Sequence, residues 1–395
     1  MKRFLTLFLI STLVATPSTY AAPKKIAVKA LKLAATITTK DDIAGFVVNA
    51  KTIVIFGTAL DRSFARAVDI NGQEIWSIAL DPNSPSIASA GAVDSAGNIW
   101  IAGCTSHFRP TPAPSATATP LNPDSLVDSP DSFNPDLNAV ALWKIPAGTS
   151  TPTLFSAQQS APVLITSIAA DKNGVSLTGI TQSTKGGTGF VISANSEGEF
   201  SKPLLIGATS TTLDAVVRHS DGSLTVTGAS SETLGGKKLV GSIDGIIIKI
   251  SKTNRVLSVV RSSAPKAKRN WSSATSTLLL GGSVITGLKT ESAVTKFSNS
   301  YVPTWTYRFT STGPTLTLGS TYAFFVSKGP IPELSNWAPK SPQPILLTFD
   351  TKGSISGAFS AAIDQREVVG LSSSKELGVI CLTASAETIS IFTLA

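Results

Sequence analysis

One recurring phrase constrains the fold of this chain more than any other feature. It consists of an apolar run, a polar turn, a short run of strand-like residues and then a glycine. Its clearest copy extends from Ala92 to Gly103. The successive copies end, in chain order, at Gly57, Gly103, Gly179, Gly228 and Gly287. Three of the four intervals are about 50 residues, which suits a unit of four short strands, and the interval after Gly103 is longer. The pattern predicts a modular array with one large insertion.

The repeat has the character of β-structure. Segments such as 98–102 and 222–228 alternate or run apolar as strands do, and they lack the spacing of an amphipathic helix. A second set of turns, typified by Asp69–Gly72 and Asp350–Gly353, has Asp or Asn first and Gly fourth. This is type I turn chemistry, and it predicts the connection between the third and fourth strands of each unit. Calcium binding is the alternative, but these turns lack a dense set of oxygen ligands, so no metal is expected.

The two sets of turns together predict an all-β fold, a single β-propeller domain over residues 22–395. We expect seven four-stranded blades, with six or eight as the alternatives, near 41–80, 85–158, 163–207, 212–261, 270–310, 315–360 and 361–395. The last of these segments has material for only three strands. Ile26–Leu33 is a spare strand, and placing it as the missing fourth strand would close the ring and remove exposed sheet edges.

The first residues have the pattern of a secretory signal peptide over 1–21. Met1–Arg3 is basic, Phe4–Ala15 is apolar, and small residues precede Ala21, where we expect cleavage. The apolar stretch is too short to span a bilayer, and so is the strand-length segment at the other end, so no transmembrane anchor is expected. The predicted localisation is secreted, periplasmic or on the cell surface.

Charge gives limited information about partners. Lys and Arg number 33 against 25 for Asp and Glu, a formal net charge of +8. These charges are not clustered as in a nucleic-acid-binding protein, so no nucleic-acid partner is expected. The densest basic segment is Lys266–Arg269, beside Trp271. It is either a solvated loop or a contact for an anionic polymer, and the sequence leaves both interpretations open.

The cysteines and tryptophans are expected to be mainly structural. Cys104 and Cys381 fall in similar strands of distant blades, which favours two separate buried thiols. With only two histidines beside them, no zinc spacing arises and no cofactor is expected. Five tryptophans are expected to pack between blades, because large rings contribute strongly to core energetics. They are Trp76, Trp100, Trp143, Trp271 and Trp305. Trp337 lies in a loop and is a candidate ligand contact.

The clearest repeat also resembles a known family. The segments 92–103, 105–106, 138–145 and 153–156 resemble the bacterial β-propeller repeat family often labelled SBBP. The shared pattern is an Asp-x-x-Gly-Asn-apolar-apolar-apolar-x-Gly phrase, a Thr-Ser loop, an Ala-x-Lys-apolar strand and a closing apolar strand. The resemblance implies a secreted or surface propeller with no shared catalytic residues.

The insertion is the candidate binding region. It covers residues 105–137 and is rich in Pro, Ser, Thr and Asp. In a four-stranded blade it would open on the same face as the loops at 230–244 and 327–344, and long loops on a rigid scaffold often carry function. The alternative is that these loops are tolerated insertions without a ligand. The candidate binding residues are His107, Phe108, Arg109, Asp124, Asp128, Asp131 and Trp337.

Catalysis has little support in the sequence, because no phosphate-binding glycine loop and no nucleophile elbow is present. We therefore expect a monomeric, non-catalytic binding or scaffold module that engages a protein or glycan. The alternatives are a glycan-active hydrolase or lyase that uses acidic loop residues, and a structural component of the cell envelope.

Overall fold

The computed structural model describes residues 25–106, 136–183, 185–362, 365 and 367–394. Every regular element in these ranges is a β-strand, so the predicted all-β class is confirmed. Within the same ranges, no helix has the length and apolar character needed to cross a bilayer. The signal peptide predicted over residues 1–21 lies outside the described residues.

Thirty strands follow one another along the chain. The first fifteen are β1 (Ile26–Ala30), β2 (Lys32–Thr38), β3 (Asp42–Asn49), β4 (Thr52–Ala59), β5 (Arg62–Val68), β6 (Glu74–Ala79), β7 (Ser86–Val93), β8 (Ile99–Thr105), β9 (Ala139–Ile145), β10 (Thr153–Gln158), β11 (Val163–Asp171), β12 (Gly174–Ser183), β13 (Gly186–Asn195), β14 (Leu204–Ile206) and β15 (Thr211–Arg218). The others are β16 (Leu224–Ser230), β17 (Asp244–Ile250), β18 (Val256–Ser262), β19 (Lys268–Ala274), β20 (Leu279–Thr286), β21 (Lys289–Phe297), β22 (Pro303–Thr310), β23 (Leu316–Leu318), β24 (Tyr322–Ser327), β25 (Leu334–Ser335), β26 (Gln343–Phe349), β27 (Ile355–Ser360), β28 (Glu367–Ser374), β29 (Gly378–Ala384) and β30 (Thr388–Thr393).

The strands form six four-stranded blades and one six-stranded sheet. Blades 1 to 5 are the consecutive groups β3–β6, β7–β10, β11–β14, β15–β18 and β19–β22, each in simple meander order. The first strands of the seven sheets contact one another in cyclic sequence, β3 to β7, β11, β15, β19, β23, β28 and back to β3. The predicted propeller is therefore confirmed, whereas the predicted count of seven four-stranded blades is wrong, because the structure has six such blades and one six-stranded sheet.

The sixth sheet is wider because the N-terminal segment adds to it. Its order is β23, β24, β26, β27, β1 and β25, and β1 pairs in parallel with β27. Leu31 then donates its main-chain N–H to the Ser360 carbonyl, and the chain crosses to the next sheet as β2. Hydrogen bonding to an open sheet edge satisfies main-chain groups that would otherwise remain exposed there.

The sixth four-stranded blade closes the ring, and we call it the closing blade. Its order is β28, β29, β30 and β2, so an N-terminal strand completes three C-terminal strands, as expected. The predicted segment Ile26–Leu33 is wrong in register, because the strand that pairs with β30 is Lys32–Thr38. Ile26–Ala30 instead belongs to the six-stranded sheet. Ala35 and Ile37 pack in the cluster between the closing blade and blade 1.

Burial explains why some strands are continuously apolar and others alternate. Second and third strands, such as β8 and β9, lie between neighbouring blades and are buried on both faces. Fourth strands, such as β6 and β22, form the outer edge and alternate in exposure. One hydrophobic cluster fills each of the seven interfaces between adjacent sheets. Apolar burial between the sheets is thus the main stabilising contribution around the ring.

The recurring glycine has a steric role. In five blades it lies opposite the residue that precedes a β-bulge in the first strand, as Gly228 lies opposite Leu213 with Asp214 as the extra residue. A Cβ on Gly228 would come within 2.1 Å of the Thr212 carbonyl oxygen, so only glycine fits without a shift of the main chain. In blade 5 this position is Gly282, so the assignment of Gly287 to the repeat is wrong. Gly287 lies in the open hairpin turn after β20.

The structural expectations for the cysteines and five tryptophans are confirmed. Cys104 in β8 and Cys381 in β29 are separate, buried thiols. Trp100, Trp143 and Trp271 have no exposed surface. Trp76 and Trp305 lie in fourth strands and pack against interface clusters from their outer rim. The turns between third and fourth strands also have the expected chemistry: Asp69 Oδ1 accepts from the main-chain N–H groups of Asn71 and Gln73.

Candidate functional site

The two faces of the ring differ in character. We call the face formed by the connections between second and third strands and between blades the long-connection face, and the other the tight-turn face. Residues 231–243 and 328–342 join strands on the long-connection face. Residues 107–135 of the predicted insertion lie outside the described residues. Cavities of about 440, 480 and 200 Å³ open there. A cavity of about 310 Å³ lies on the tight-turn face, against Pro146 and Trp76.

The cavity of about 440 Å³, which we call the Arg269 groove, lies where blades 3, 4 and 5 meet. One wall is formed by residues 209–212, which lead into β15, and another by residues 268–270 at the start of β19. Isoleucines supply its apolar surface, namely Ile180, Ile243 and Ile285. Concave sites with apolar walls and a few polar groups are typical of ligand binding.

Arg269 is the unusual residue of this groove. It is only 6% exposed, and its guanidinium carbon lies 4.2 Å from the centre of the Trp271 ring. Nη2 donates to Thr295 Oγ1 at 3.4 Å, a long hydrogen bond, and Nε has no partner. Among the described residues, no carboxylate forms an ion pair with it. Burial, with a smaller contribution from nearby Arg308, lowers the pKa of Arg269 to about 10, so it stays charged at neutral pH.

The other charged residue in the lining is Lys268, which is exposed. Its neighbour Asn270 also lines the groove and donates a side-chain hydrogen bond to Asp214. The side-chain oxygen of Asn270 is buried and has no partner. Arg269 Nε and the side-chain oxygen of Asn270 are thus buried without partners on opposite faces of β19, although buried polar groups are usually paired.

A carboxylate clamp holds the wall opposite Arg269. Glu232 accepts hydrogen bonds from the main-chain N–H groups of Ala208, Thr209 and Ser210, and from Thr211 Oγ1 at 2.8 Å. Burial opposes ionisation, but these hydrogen bonds outweigh it and lower the pKa of Glu232 to about 2. The carboxylate of Glu232 therefore holds the connection between blades 3 and 4 in place.

The bulged residues of the first strands tie neighbouring blades together near the axis. Ser89 Oγ donates to the Ile165 carbonyl at 2.7 Å, and Thr166 Oγ1 donates to the Leu213 carbonyl. Asp214 occupies the corresponding bulge in blade 4, and burial raises its pKa despite hydrogen bonds that favour the charged form. Of the first strands joined in this way, β15 borders the Arg269 groove.

A buried ion pair supports the connection above blade 4. Asp244 has no exposed surface, accepts from the main-chain N–H groups of Val240 and Gly241, and meets Arg261 Nη1 at 3.2 Å. Burial works against ionisation, and these hydrogen bonds together with Arg261 give Asp244 a lowered pKa. The carboxylates of Asp244 and Glu232 are thus both engaged in holding main chain.

Most of the sequence-predicted site falls outside the described residues. This applies to His107, Phe108, Arg109, Asp124, Asp128 and Asp131, whose binding roles stay predictions. The structure places Trp337 in the cluster between blade 5 and the six-stranded sheet, 9% exposed, where its indole N–H donates to Ser327 Oγ at 3.1 Å. A ligand contact at Trp337 stays a prediction.

Sequence reasoning missed the groove. The interpretation of Lys266–Arg269 as a wholly solvated loop is wrong, because Arg269 is buried. The sequence did contain a signal, because residues two apart in a strand lie on the same face. Arg269 and Trp271 are two apart in β19 and alternate with exposed or half-buried neighbours, so they share one buried face. In the described part of the chain, no group of three or more His, Cys, Asp or Glu residues could hold a metal ion.

Comparison with known proteins supports the fold alone. No family model and no curated protein matches the sequence. The WD40 domain of Toxoplasma gondii coronin is similar in structure, with a TM-score of 0.51 and 9% identity over 94% of this chain and 89% of that one. Drosophila Semaphorin 2a has a TM-score of 0.52 and 8% identity over 95% and 77%. The fold is that of a β-propeller. Because identities this low carry no function, the resemblance to the SBBP family stays a prediction.

Proposed function

We propose that this protein is an exported, non-enzymatic propeller that binds a protein or glycan partner through its long-connection face. The observation that carries the proposal is the Arg269 groove on that face, a cavity of about 440 Å³ with apolar walls and a few polar side chains at its edge. The tight-turn face instead has short turns whose polar groups are used internally, as in Asp94, which accepts from Ala96, Asn98 and Trp100.

The chemistry of the groove supports binding over hydrolysis. Glycoside hydrolysis uses two carboxyl groups that flank the scissile bond. None of the residues described as lining the Arg269 groove is acidic. Glu232, nearby, is held by four hydrogen bonds, as described above. A hydrolase or lyase remains the alternative, and its acidic residues would come from elsewhere, either from the segment 107–135 or from Asp41, Asp42 and Glu367 around the cavity of about 200 Å³.

Attachment of a bulky group to one face tests the proposal. Because Cys104 and Cys381 are buried, a single surface cysteine can be labelled with polyethylene glycol maleimide. Lys238→Cys places the label on the long-connection face, and Lys172→Cys is the matched control on the tight-turn face, since both lysines are exposed. The readout is retention of host-culture components on the immobilised mature protein, with protease or periodate treatment to separate protein from glycan partners.

We expect the label at position 238 to abolish retention and the label at position 172 to leave it intact. Equal retention by the two labelled proteins would refute the use of this face. A further variant replaces residues 107–135 with a short turn, which the paired ends of β8 and β9 should tolerate because Thr105 faces Ala139. Loss of retention in that variant would assign the insertion to the binding surface.

A further inference from the structure

We propose that a surface ridge over blades 4 and 5 attaches the protein to an anionic lipid bilayer. We call it the lysine–leucine ridge, and it consists of residues 237–240, 265–268 and 285–289. A lipid surface goes beyond the protein or glycan partner of the proposed function, although the ridge occupies part of the same long-connection face. Continuity of the three segments, exposed apolar side chains and uncompensated positive charge support this assignment.

The three segments of the ridge are adjacent in the fold. Ser242, which follows the first segment, donates its main-chain N–H to the Ala267 carbonyl at 2.9 Å. Ile243 pairs with Lys268 in the second segment. Lys268 in turn lies opposite Ile285 in the pair formed by β19 and β20, and Ile285 leads into the hairpin of the third segment. The segments therefore form one continuous surface.

Apolar side chains project from the ridge into solvent. Val240 is 64% exposed, Leu288 is fully exposed, and Leu239 and Ile285 are also among the exposed residues. Leu288 is the second of the two central residues of a tight hairpin, after Gly287 with its positive φ of 57°. Polar residues and glycine are the usual occupants of such turns. Exposed apolar side chains that cluster on one face mark a surface for a protein or a membrane.

Exposed lysines without ion-pair partners give the ridge a positive charge. They are Lys237, Lys238, Lys266 and Lys268. Within the described ranges, no carboxylate forms an ion pair with any of them. Lys266 lies in the centre of a turn that the main-chain N–H of Ala267 closes, and its φ is 57°. Because glycine would be less strained at this φ, the turn exposes a lysine at some conformational cost.

The carboxylates of the same elements do not neutralise these lysines. Glu232 accepts hydrogen bonds from the connection between blades 3 and 4, and Asp244 has no exposed surface. Glu291 Oε1 lies 2.8 Å from Lys289 Nζ, and its Oε2 lies 3.7 Å from Arg308 Nη1. The ridge is therefore positive overall, and anionic headgroups attract basic residues close to a membrane surface.

The composition of the ridge favours a bilayer over a protein or a glycan. Protein interfaces are enriched in aromatic residues and depleted in lysine, whereas the ridge has exposed lysines and no aromatic residue. A polysaccharide offers no apolar phase for Val240 and Leu288. A bilayer offers both interactions, because its headgroups attract lysines and the boundary with its acyl chains accepts aliphatic side chains.

The experiment measures sedimentation of the mature protein, residues 22–395, with sucrose-loaded vesicles. Residues 1–21 are omitted because their apolar stretch would itself bind lipid. One set of vesicles contains phosphatidylcholine alone, and the other contains phosphatidylcholine and phosphatidylglycerol in equal amounts. We expect binding to the anionic vesicles to be about tenfold tighter or more, and the difference should decrease as salt screens the lysines.

A matched pair of double variants tests the charge of the ridge. Lys238→Gln combined with Lys268→Gln should weaken binding to the anionic vesicles by about tenfold or more. Lys172→Gln combined with Lys252→Gln is the control, because both of these lysines are exposed on the tight-turn face. The control removes the same net charge and should leave vesicle binding nearly unchanged.

A second matched pair tests the apolar side chains. Leu288→Ser should weaken binding by about fivefold or more, because it removes aliphatic groups that would enter the bilayer boundary. Val302→Ser is the control, since Val302 is 58% exposed on the tight-turn face of the same blade. An environment-sensitive fluorophore on Leu288→Cys should shift to the blue with anionic vesicles, and the same fluorophore on Val302→Cys should not. Cys104 and Cys381 are buried and leave this labelling specific.

Three outcomes would overturn the inference: no binding to the anionic vesicles, equal binding to neutral vesicles, or unchanged binding by the Lys238 and Lys268 double variant. Lysine-dependent retention on immobilised polygalacturonate without vesicle binding would also overturn it, in favour of an anionic glycan. The vesicles contain neither protein nor glycan, so failure here is distinguishable from failure of the proposed function. If vesicles do not bind but the label at position 238 blocks partner retention, the ridge assignment fails and the binding face stands.

Discussion

Gly103 stands directly against the main chain of Ile87, because a Cβ placed on Gly103 would lie 1.7 Å from the Ile87 carbonyl oxygen. This close approach occurs where the first strand of blade 2 bulges at Ser89. The bulge also brings Ser89 Oγ within 2.7 Å of the Ile165 carbonyl of the next blade. The glycine of the repeat thus permits a contact that joins neighbouring blades.

Gly103→Ala should destabilise the protein by about 2–3 kcal/mol, since the added methyl group must displace main chain in a packed blade. Gly313→Ala is the control, because that position is open and its φ is not in the left-handed region, so its effect should be within about 0.5 kcal/mol. Urea unfolding followed by tryptophan fluorescence measures both. Equal stability of the two variants would contradict the steric role of the repeat glycine.

A disulfide between β2 and β30 should stabilise the closed ring. Thr36 and Ser390 are paired, with their hydroxyl oxygens 3.4 Å apart across a sequence separation of 354 residues. Replacing both by cysteine restricts the unfolded chain strongly, since the entropic effect grows with the length of the closed loop. The control is the same exchange at Ser176 and Ser193, neighbours in blade 3 that are separated by 17 residues.

The ring-closing disulfide should exceed the control in unfolding free energy by about 2–3 kcal/mol on the loop-entropy model. Urea unfolding of oxidised and reduced forms provides the comparison. A smaller gain in unfolding free energy from the long-loop disulfide than from the short-loop disulfide would contradict the loop-entropy model. It would indicate that the N-terminal strand stays associated in the unfolded chain or that the new disulfide strains the fold.

Glu232 should make stability depend on pH in the acid range. Its pKa of about 2 in the folded protein lies below its ordinary value of 4.5, so the unfolded chain binds more protons between these values. Its stabilising contribution is therefore present above about pH 4.5 and is lost as the pH falls towards 2. Glu232→Gln should cost about 1–3 kcal/mol at about pH 7, and the difference from wild type should shrink at about pH 3.

Unfolding by urea at pH 7, 5 and 3 measures this effect. Glu376→Gln, in the exposed turn before β29, is the matched control and should differ little from wild type at every pH. A constant difference between Glu232→Gln and wild type across this range would show that ionisation of Glu232 does not contribute.

Trp337→Phe should measure the contribution of the Trp337 hydrogen bond to stability separately from that of its packing. The variant keeps a large ring but removes the N–H that donates to Ser327 Oγ, so we expect a loss of about 1 kcal/mol. Ser327→Ala removes the same hydrogen bond, and the double variant should cost little more than either single one. Reduced partner retention by Trp337→Phe, at unchanged stability, would instead support the ligand contact predicted from the sequence.

The two thiols should be unreactive in the folded protein. Burial raises the pKa of Cys104 to about 11, and that of Cys381 also rises, so the nucleophilic thiolate is scarce near pH 8. Iodoacetamide should modify neither residue within an hour at pH 8, and both after unfolding in urea without reductant. Mass spectrometry of intact protein measures this, and rapid native labelling would contradict the burial of both side chains.

Sequence alone determined the class and the order of the repeats, because those depend on short-range signals. Asp69–Gly72 carries its own turn chemistry, and the apolar run at 99–102 reports a strand buried on both faces. The missing fourth strand of the closing blade also followed from counting strands. Its register did not, since both Ile26–Ala30 and Lys32–Thr38 are suitable edge strands and only their partners, β27 and β30, distinguish them.

Tertiary structure decided which polar residues hold main chain and which are buried without a charged partner. Glu232 satisfies main-chain groups more than twenty residues away, and Arg269 lies against a tryptophan without a carboxylate partner. A linear pattern does not report such pairings, because burial and hydrogen bonding depend on segments that meet only when the ring closes. The same separation applies to the repeat glycine: the sequence showed where it recurs, and the facing bulge showed why a side chain is excluded.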